Sequence, residues 1–106
     1  MQFIWDEKKD LVNQKKHKIS FDTASYVFND QFLLTTLDER YHYHEERWES
    51  IGLIAEVLIY VAHTTEDCDE EEIIRIISAR KANLQETRRY YIHRENEGGV
   101  ASAQRH

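Results

Sequence analysis

Residues 57–80 read Val57-Leu-Ile-Tyr-Val-Ala-His-Thr64, then Thr65-Glu-Asp-Cys-Asp-Glu-Glu71, then Glu72-Ile-Ile-Arg-Ile-Ile-Ser-Ala79-Arg80. The first stretch is almost wholly apolar, which predicts a central strand covered on both faces. The last predicts a second strand, rich in β-branched isoleucine, with Arg75 as its interior charge. The acidic stretch between them, Thr65 to Glu71, predicts the turn that joins them.

Upstream, Arg47 to Ile54 reads as another strand, reversing at Ala55-Glu56 without the usual Asn-Gly signal. Before it come a polar, histidine-rich loop, Asp38 to Glu46, and a strand over Phe32 to Leu37. Ser20 is placed to cap a short helix whose Phe21, Ala24, Ser25 and Phe28 share one face, with Asn29-Asp30 ending it. An earlier helix starts on Asp6 and runs to about Lys16. Its apolar content is thin, mainly Leu11 and Val12, so it is expected over the sheet edge with its lysines in water. Gln2 to Trp5 reads as a first strand. Downstream, Lys81 to about Arg94 is helical, with Glu86 able to pair with Arg89 or contact Tyr90. Gly98-Gly99 opens a tail. The expected fold is α+β: a short N-terminal strand, two helices, a small antiparallel sheet and a C-terminal helix, with helices on one sheet face. The expected domain is 1–95, with 96–106 a disordered tail.

The chain has 106 residues, the length of one domain. An apolar fraction of 41% rules out wholesale disorder. No apolar run reaches the ~20 residues of a membrane span, and the N-terminus lacks the basic and apolar regions of a secretion signal. Cys68 is the only cysteine, which excludes an internal disulfide and fits a cytoplasmic protein. The net charge of −6 argues against nucleic-acid binding until its distribution is considered. Six acids lie between Glu66 and Glu72, and without them the remainder is neutral. Lys8 to Lys18 and Arg75 to Arg94 are then basic segments. They read either as solvated helix faces or as holders of a phosphate backbone.

Arg75, inside an isoleucine strand, and Arg80, at the strand's end, need a partner or an open concave face. A guanidinium suits phosphate, but an ion pair with Glu46, Glu49 or Glu72 serves equally. Lys16-His17 offers a general base or acid beside a cation, or else a helix C-terminal cation pair. His42-Tyr43-His44-Glu45 has alternate spacing suited to a metal, but no second ligand cluster accompanies it, so no metal or cofactor is expected. His63 reads as a core histidine. Cys68, among acids, is poorly placed to be a nucleophile. No Gly-rich phosphate loop or G-x-S-x-G elbow is present.

In order along the chain stand Phe3-Ile4-Trp5-Asp6, Lys16-His17-Lys18-Ile19-Ser20-Phe21, Val27-Phe28-Asn29-Asp30 and Glu45-Glu46-Arg47-Trp48. They are followed by Val61-Ala62-His63-Thr64 and Arg75-Ile76-Ile77-Ser78-Ala79-Arg80-Lys81-Ala82. This series, from Phe3 to Tyr91, resembles the BrnT family of toxins, whose fold is related to the RelE toxins. The chain departs from that pattern at Thr23, Gln31, Ala55-Glu56 and the heavy acidic stretch, all in turns and caps. The resemblance implies an RNA-cleaving toxin that arrests translation, and a BrnA-like antitoxin encoded beside it. It also implies a toxin–antitoxin heterotetramer that reaches operator DNA only through the antitoxin.

On that basis Arg47 and Arg80 are expected to clamp phosphate, with Arg75 a third cation or the residue orienting Glu46. His17 is the expected base or acid, with Glu46 and Tyr90 behind it. Lys16 and Arg88 would hold flanking phosphates of the RNA. Two other readings stay open. One is an inert module that binds the antitoxin and adjusts repression; the other is a poison of a protein such as a topoisomerase.

Overall fold

Asp6 and Ser20 start the first two helices. The Asp6 carboxylate accepts the Lys8 and Lys9 N–H groups at 2.8 and 3.2 Å, and the Ser20 hydroxyl accepts that of Thr23 at 3.1 Å. Each satisfies donors that a helix N-terminus leaves open. The computed structural model describes residues 1–40 and 45–103. In order they form β1 (Gln2–Trp5), α1 (Glu7–His17), α2 (Phe21–Ala24) and a 3-10 turn (Ser25–Asn29). Then come β2 (Leu34–Leu37), β3 (Trp48–Ile54), β4 (Val57–Cys68), β5 (Glu71–Lys81) and α3 (Leu84–Ala103).

The α+β class is as expected. The strands make one sheet in the order β1-β5-β4-β3-β2. β2 through β5 are antiparallel neighbours, whereas β1 lies parallel to β5, so the sheet is mixed.

The acidic stretch, expected to be a turn throughout, is mostly a hairpin arm. Pairing continues from Thr65↔Ile74 to Cys68↔Glu71, and only Asp69 and Glu70 turn, with φ of 51° and 67°. Two successive positive φ values match a tight hairpin turn whose twist suits the flanking strands. The arm outruns its neighbours, because β3 pairs with β4 only as far as His63 and β1 meets β5 only from Ile73. Nearer the sheet centre, Ala62 pairs with Ser78 and His63 with Ile76, which leaves Ile77 as an extra residue on β5. This is a β-bulge.

Helices cover both sheet faces, not one. On the first face Phe21, Ala24 and Val27 pack onto Ile59, Val61, Ile74, Ile76 and Ala79. Gly52 admits this approach: a Cβ there would lie 2.9 Å from the Val27 carbonyl oxygen. On the second face Tyr90 of α3 packs against Ile51 and Tyr60. α3 passes through Gly98-Gly99 to Ala103, beyond its expected end near Arg94. A helical glycine costs only about 1 kcal/mol, and no proline stops the chain.

α1 attaches by polar groups. Asp10 and Asn13 are its buried residues, while Leu11 and Val12 are 63% and 64% exposed. Asp10 accepts the Phe21 N–H at 2.9 Å. The Asn13 amide donates to the carbonyls of Ile19 and Ala79, each at 2.9 Å, and accepts the Ala79 N–H at 3.1 Å.

Candidate active site

Two side chains an odd number of residues apart point to opposite faces of a regular strand. Arg75 and Arg80 are so spaced, yet they pair with Thr64 and Tyr60, which share one face of β4. The bulge at Ile77 supplies the extra step. Both guanidinium groups therefore belong to the second sheet face, the one on which α3 packs Tyr90.

Arg80 is held by two partners. Its two Nη groups donate to the Glu86 oxygens at 2.8 and 2.9 Å, and its guanidinium carbon lies 4.0 Å from the Tyr60 ring centroid. Bidentate pairing and ring stacking both need the planar fork that lysine lacks. Glu86 is fixed in turn by a capping box at the start of α3. Its carboxylate accepts the Asn83 N–H at 2.9 Å, and the Asn83 side chain accepts the Glu86 N–H at 2.8 Å. Burial alone would raise the Glu86 carboxyl; the bonds from Arg80 and Asn83 outweigh it and hold the group below the usual glutamate range. The bond from Glu86 raises Arg80 further still.

Around this pair the same face gathers more charge. Glu49 pairs with Ala62 in the β3–β4 register, and the Arg40 guanidinium comes within 3.9 Å of its carboxylate. Arg40 also bonds Asp38 at 3.1 Å, and that bond, with Glu49 behind it, raises Arg40. Burial and then Glu49 push the Tyr60 hydroxyl up to about 12, so it is a proton holder near neutral pH. Arg89 of α3 donates to the Thr36 hydroxyl at 3.2 Å. Arg75 forms an ion pair with Glu45.

The expected residues divide between two regions. Arg75 and Arg80 lie on this face. Arg47 is half-buried just before β3, its carbonyl accepting the Asp38 N–H at 2.8 Å; alternation from Glu49 gives it the same face. Glu46 is exposed beside it, and Arg88 is exposed on α3. Tyr90 belongs to the core: it is fully buried, and its hydroxyl donates to Asp30. An enclosed ring cannot meet RNA, so Tyr90 leaves the site. Lys16 and His17 line grooves beside α1, and His17 shares one with Ile59 and Lys81 on the first sheet face. They are not brought to the arginines. His42 and His44 lie outside the described residues, and no group of three or more possible metal ligands stands among the described ones. His63 is a core residue, bonded to the Ser50 hydroxyl at 2.7 Å.

Arg40 and Tyr60 were not anticipated, and Glu49 and Arg89 were expected only as ion-pair partners. A tyrosine inside the aliphatic run of β4 was a usable signal for one of them, and Asn83-x-x-Glu86 was a readable capping box. Arg40 and Glu49 meet only through the strand register, which the sequence does not display.

Such a face can hold a polyanion, orient it and stabilise added negative charge. A family model described as the ribonuclease toxin, BrnT, of type II toxin–antitoxin systems matches residues 5–86. The chain belongs to the BrnT family. No curated protein matches it. BrnT membership makes the chain a ribonuclease toxin with a protein antitoxin as its partner. The BrnT match takes in Arg75, Arg80 and the capping box, ending on the carboxylate that grips Arg80. Among the described residues no helix is long and apolar enough to cross a membrane.

Proposed function

We propose that RNA lies across the second sheet face and is cut there without a metal ion, which arrests translation in the cytoplasm. The observation that carries this is the bulge at Ile77, which turns Arg75 and Arg80 to one face, where Arg40 and Arg89 also converge. Metal-free cleavage needs a base at the 2′-hydroxyl, cations for the charge on the phosphorus, and a proton for the leaving 5′-oxygen. Arg80 takes the central phosphate, with Arg47 and Arg75 on the flanking charge. Glu46, exposed beside Arg47, is the base in preference to His17, which faces the other side of the sheet. The buried Tyr60 ring supports Arg80 from beneath, and the leaving 5′-oxygen takes its proton from water. Arg88 meets an outlying phosphate. A BrnA-like antitoxin neutralises the toxin in a heterotetramer and carries the contacts to operator DNA.

The test is to induce the chain alone in cells and map transcript 5′ ends beside Arg80→Ala, then repeat cleavage in vitro with a chelator. New ends that precede arrest, vanish in the variant and survive chelation support the reading. Arrest with intact transcripts moves the target to a protein such as a topoisomerase. Absence of arrest leaves an antitoxin-binding module.

A further inference from the structure

Helix α1 presents its two apolar residues to solvent and meets the protein through Asp10 and Asn13. Leu11 and Val12 are both more than three-fifths exposed, although Asp10 and Asn13 beside them are buried. A single exposed leucine is ordinary, but adjacent apolar residues on a helix that anchors itself through a carboxylate and an amide require another explanation. Val12 is the ridge between two shallow grooves. One passes Lys8, Lys16 and Ile77; the other passes Leu11 and Lys15. The helix thus offers an apolar centre with a cationic rim, on a chain whose overall charge is −6.

That pattern matches the anatomy of a protein interface, a dry centre within a polar border. It fits RNA poorly: His17 is the one ring that could stack a base in either groove, and two apolar side chains would be set against phosphates. We infer that α1 docks the antitoxin, through an acidic segment that lays apolar residues over Leu11 and Val12 and carboxylates over Lys8 and Lys15. The partner comes from family membership, and the separation of this surface from RNA rests on the proposed cleavage face. Neutralisation then begins on a surface that RNA leaves free, so the antitoxin can engage a toxin already holding its substrate.

The probe is the antitoxin itself, the product of the reading frame adjoining that of this chain. Binding is measured to the full-length protein, to Leu11→Asp/Val12→Asp and to Lys8→Glu/Lys15→Glu, beside RNA cleavage and a thermal melt of each. The inference expects Kd to rise by about 100-fold or more in either variant, with cleavage and melting as in the parent. It also expects parental affinity to fall with added salt. Unchanged affinity in the variants overturns it. Loss of cleavage in a variant that melts like the parent assigns α1 to RNA and also overturns it. Should the first variant fail to fold, the lysine pair, wholly at the surface, decides alone. A parent that cuts no RNA but loses its antitoxin in the variants leaves the docking surface standing and removes the proposed cleavage.

Discussion

The side chain of Asn13 holds both backbone groups of Ala79, donating to its carbonyl at 2.9 Å and accepting its N–H at 3.1 Å. β1 stops pairing with β5 at Trp5↔Ile76. Beyond that point one carboxamide on α1 does for the open edge what a strand would do. Replacing it by alanine leaves buried backbone groups without partners, each costing about 1–3 kcal/mol. Asn13→Ala should therefore lower stability by about 2–3 kcal/mol in urea titrations. Asn13→Asp, which keeps the acceptor and loses the donors, should not recover it. A loss below about 0.5 kcal/mol, the usual scatter of surface changes, would mean that water fills the edge without penalty.

Glu86 ties the first turn of α3 to Arg80, so the carboxylate serves helix and site together. Glu86→Gln keeps a capping side chain but loses the paired charge. Cleavage should fall about 10- to 100-fold through kcat, as for a displaced positioning group, with α3 still formed by circular dichroism. Faster cleavage in the variant would instead mean that Glu86 competes with phosphate for Arg80.

His63 gives the fold an acid limit. Burial lowers its imidazole to about 4, with the Thr64 carbonyl opposing. The unfolded chain therefore binds the proton first as pH falls. Stability is complete above the ordinary value near 6.5 and declines as pH drops toward 4, by about 3 kcal/mol at most. His63→Gln, able to bond Ser50, should be flatter across that window. Parallel curves for parent and variant would exclude the histidine as the cause.

The turn at Asp69-Glu70 holds two non-glycine residues at positive φ. Aspartate tolerates this region better than glutamate does. Glu70→Gly should stabilise the chain by about 1 kcal/mol, read as an upward shift of several degrees in the melt. No shift would indicate that the arm opens before the rest of the sheet.

Much of the architecture was legible because it rests on local chemistry. The caps Asp6 and Ser20, the stop at Asn29-Asp30 and the apolar run of β4 each announce themselves within a few residues. The arm from Thr65 to Glu72 did not, because a two-stranded ribbon with water on both faces shows no apolar alternation. α1 lies over the sheet edge with its lysines in water, as expected from its thin apolar content. What the sequence hid is that hydrogen bonds to Phe21 and Ala79 fix its inward face, while Leu11 and Val12 lie outside. In the site, Arg75 and Arg80 were visible as charges out of place. That they share a face, with Tyr60 beneath and Glu86 in front of Arg80, depends on one bulge and one strand register. Spacing alone would have set them on opposite sides.

The bulge makes the site a matter of counting. Removing Ile77 would delete no charge, no ring and no cap, and every residue assigned to RNA would remain in the chain. Arg75 and Arg80 would then stand four places apart, and a regular ladder would keep them opposite Thr64 and Tyr60 on the same face. Taking Ser78 as well would leave them three apart, turning Arg80 toward Phe21 and Val27 or breaking the pairing with β4. A one-residue deletion at this point should therefore be far less damaging than a two-residue one. The address of Arg80 is written in the parity of the strand, which no exchange of side chains alters.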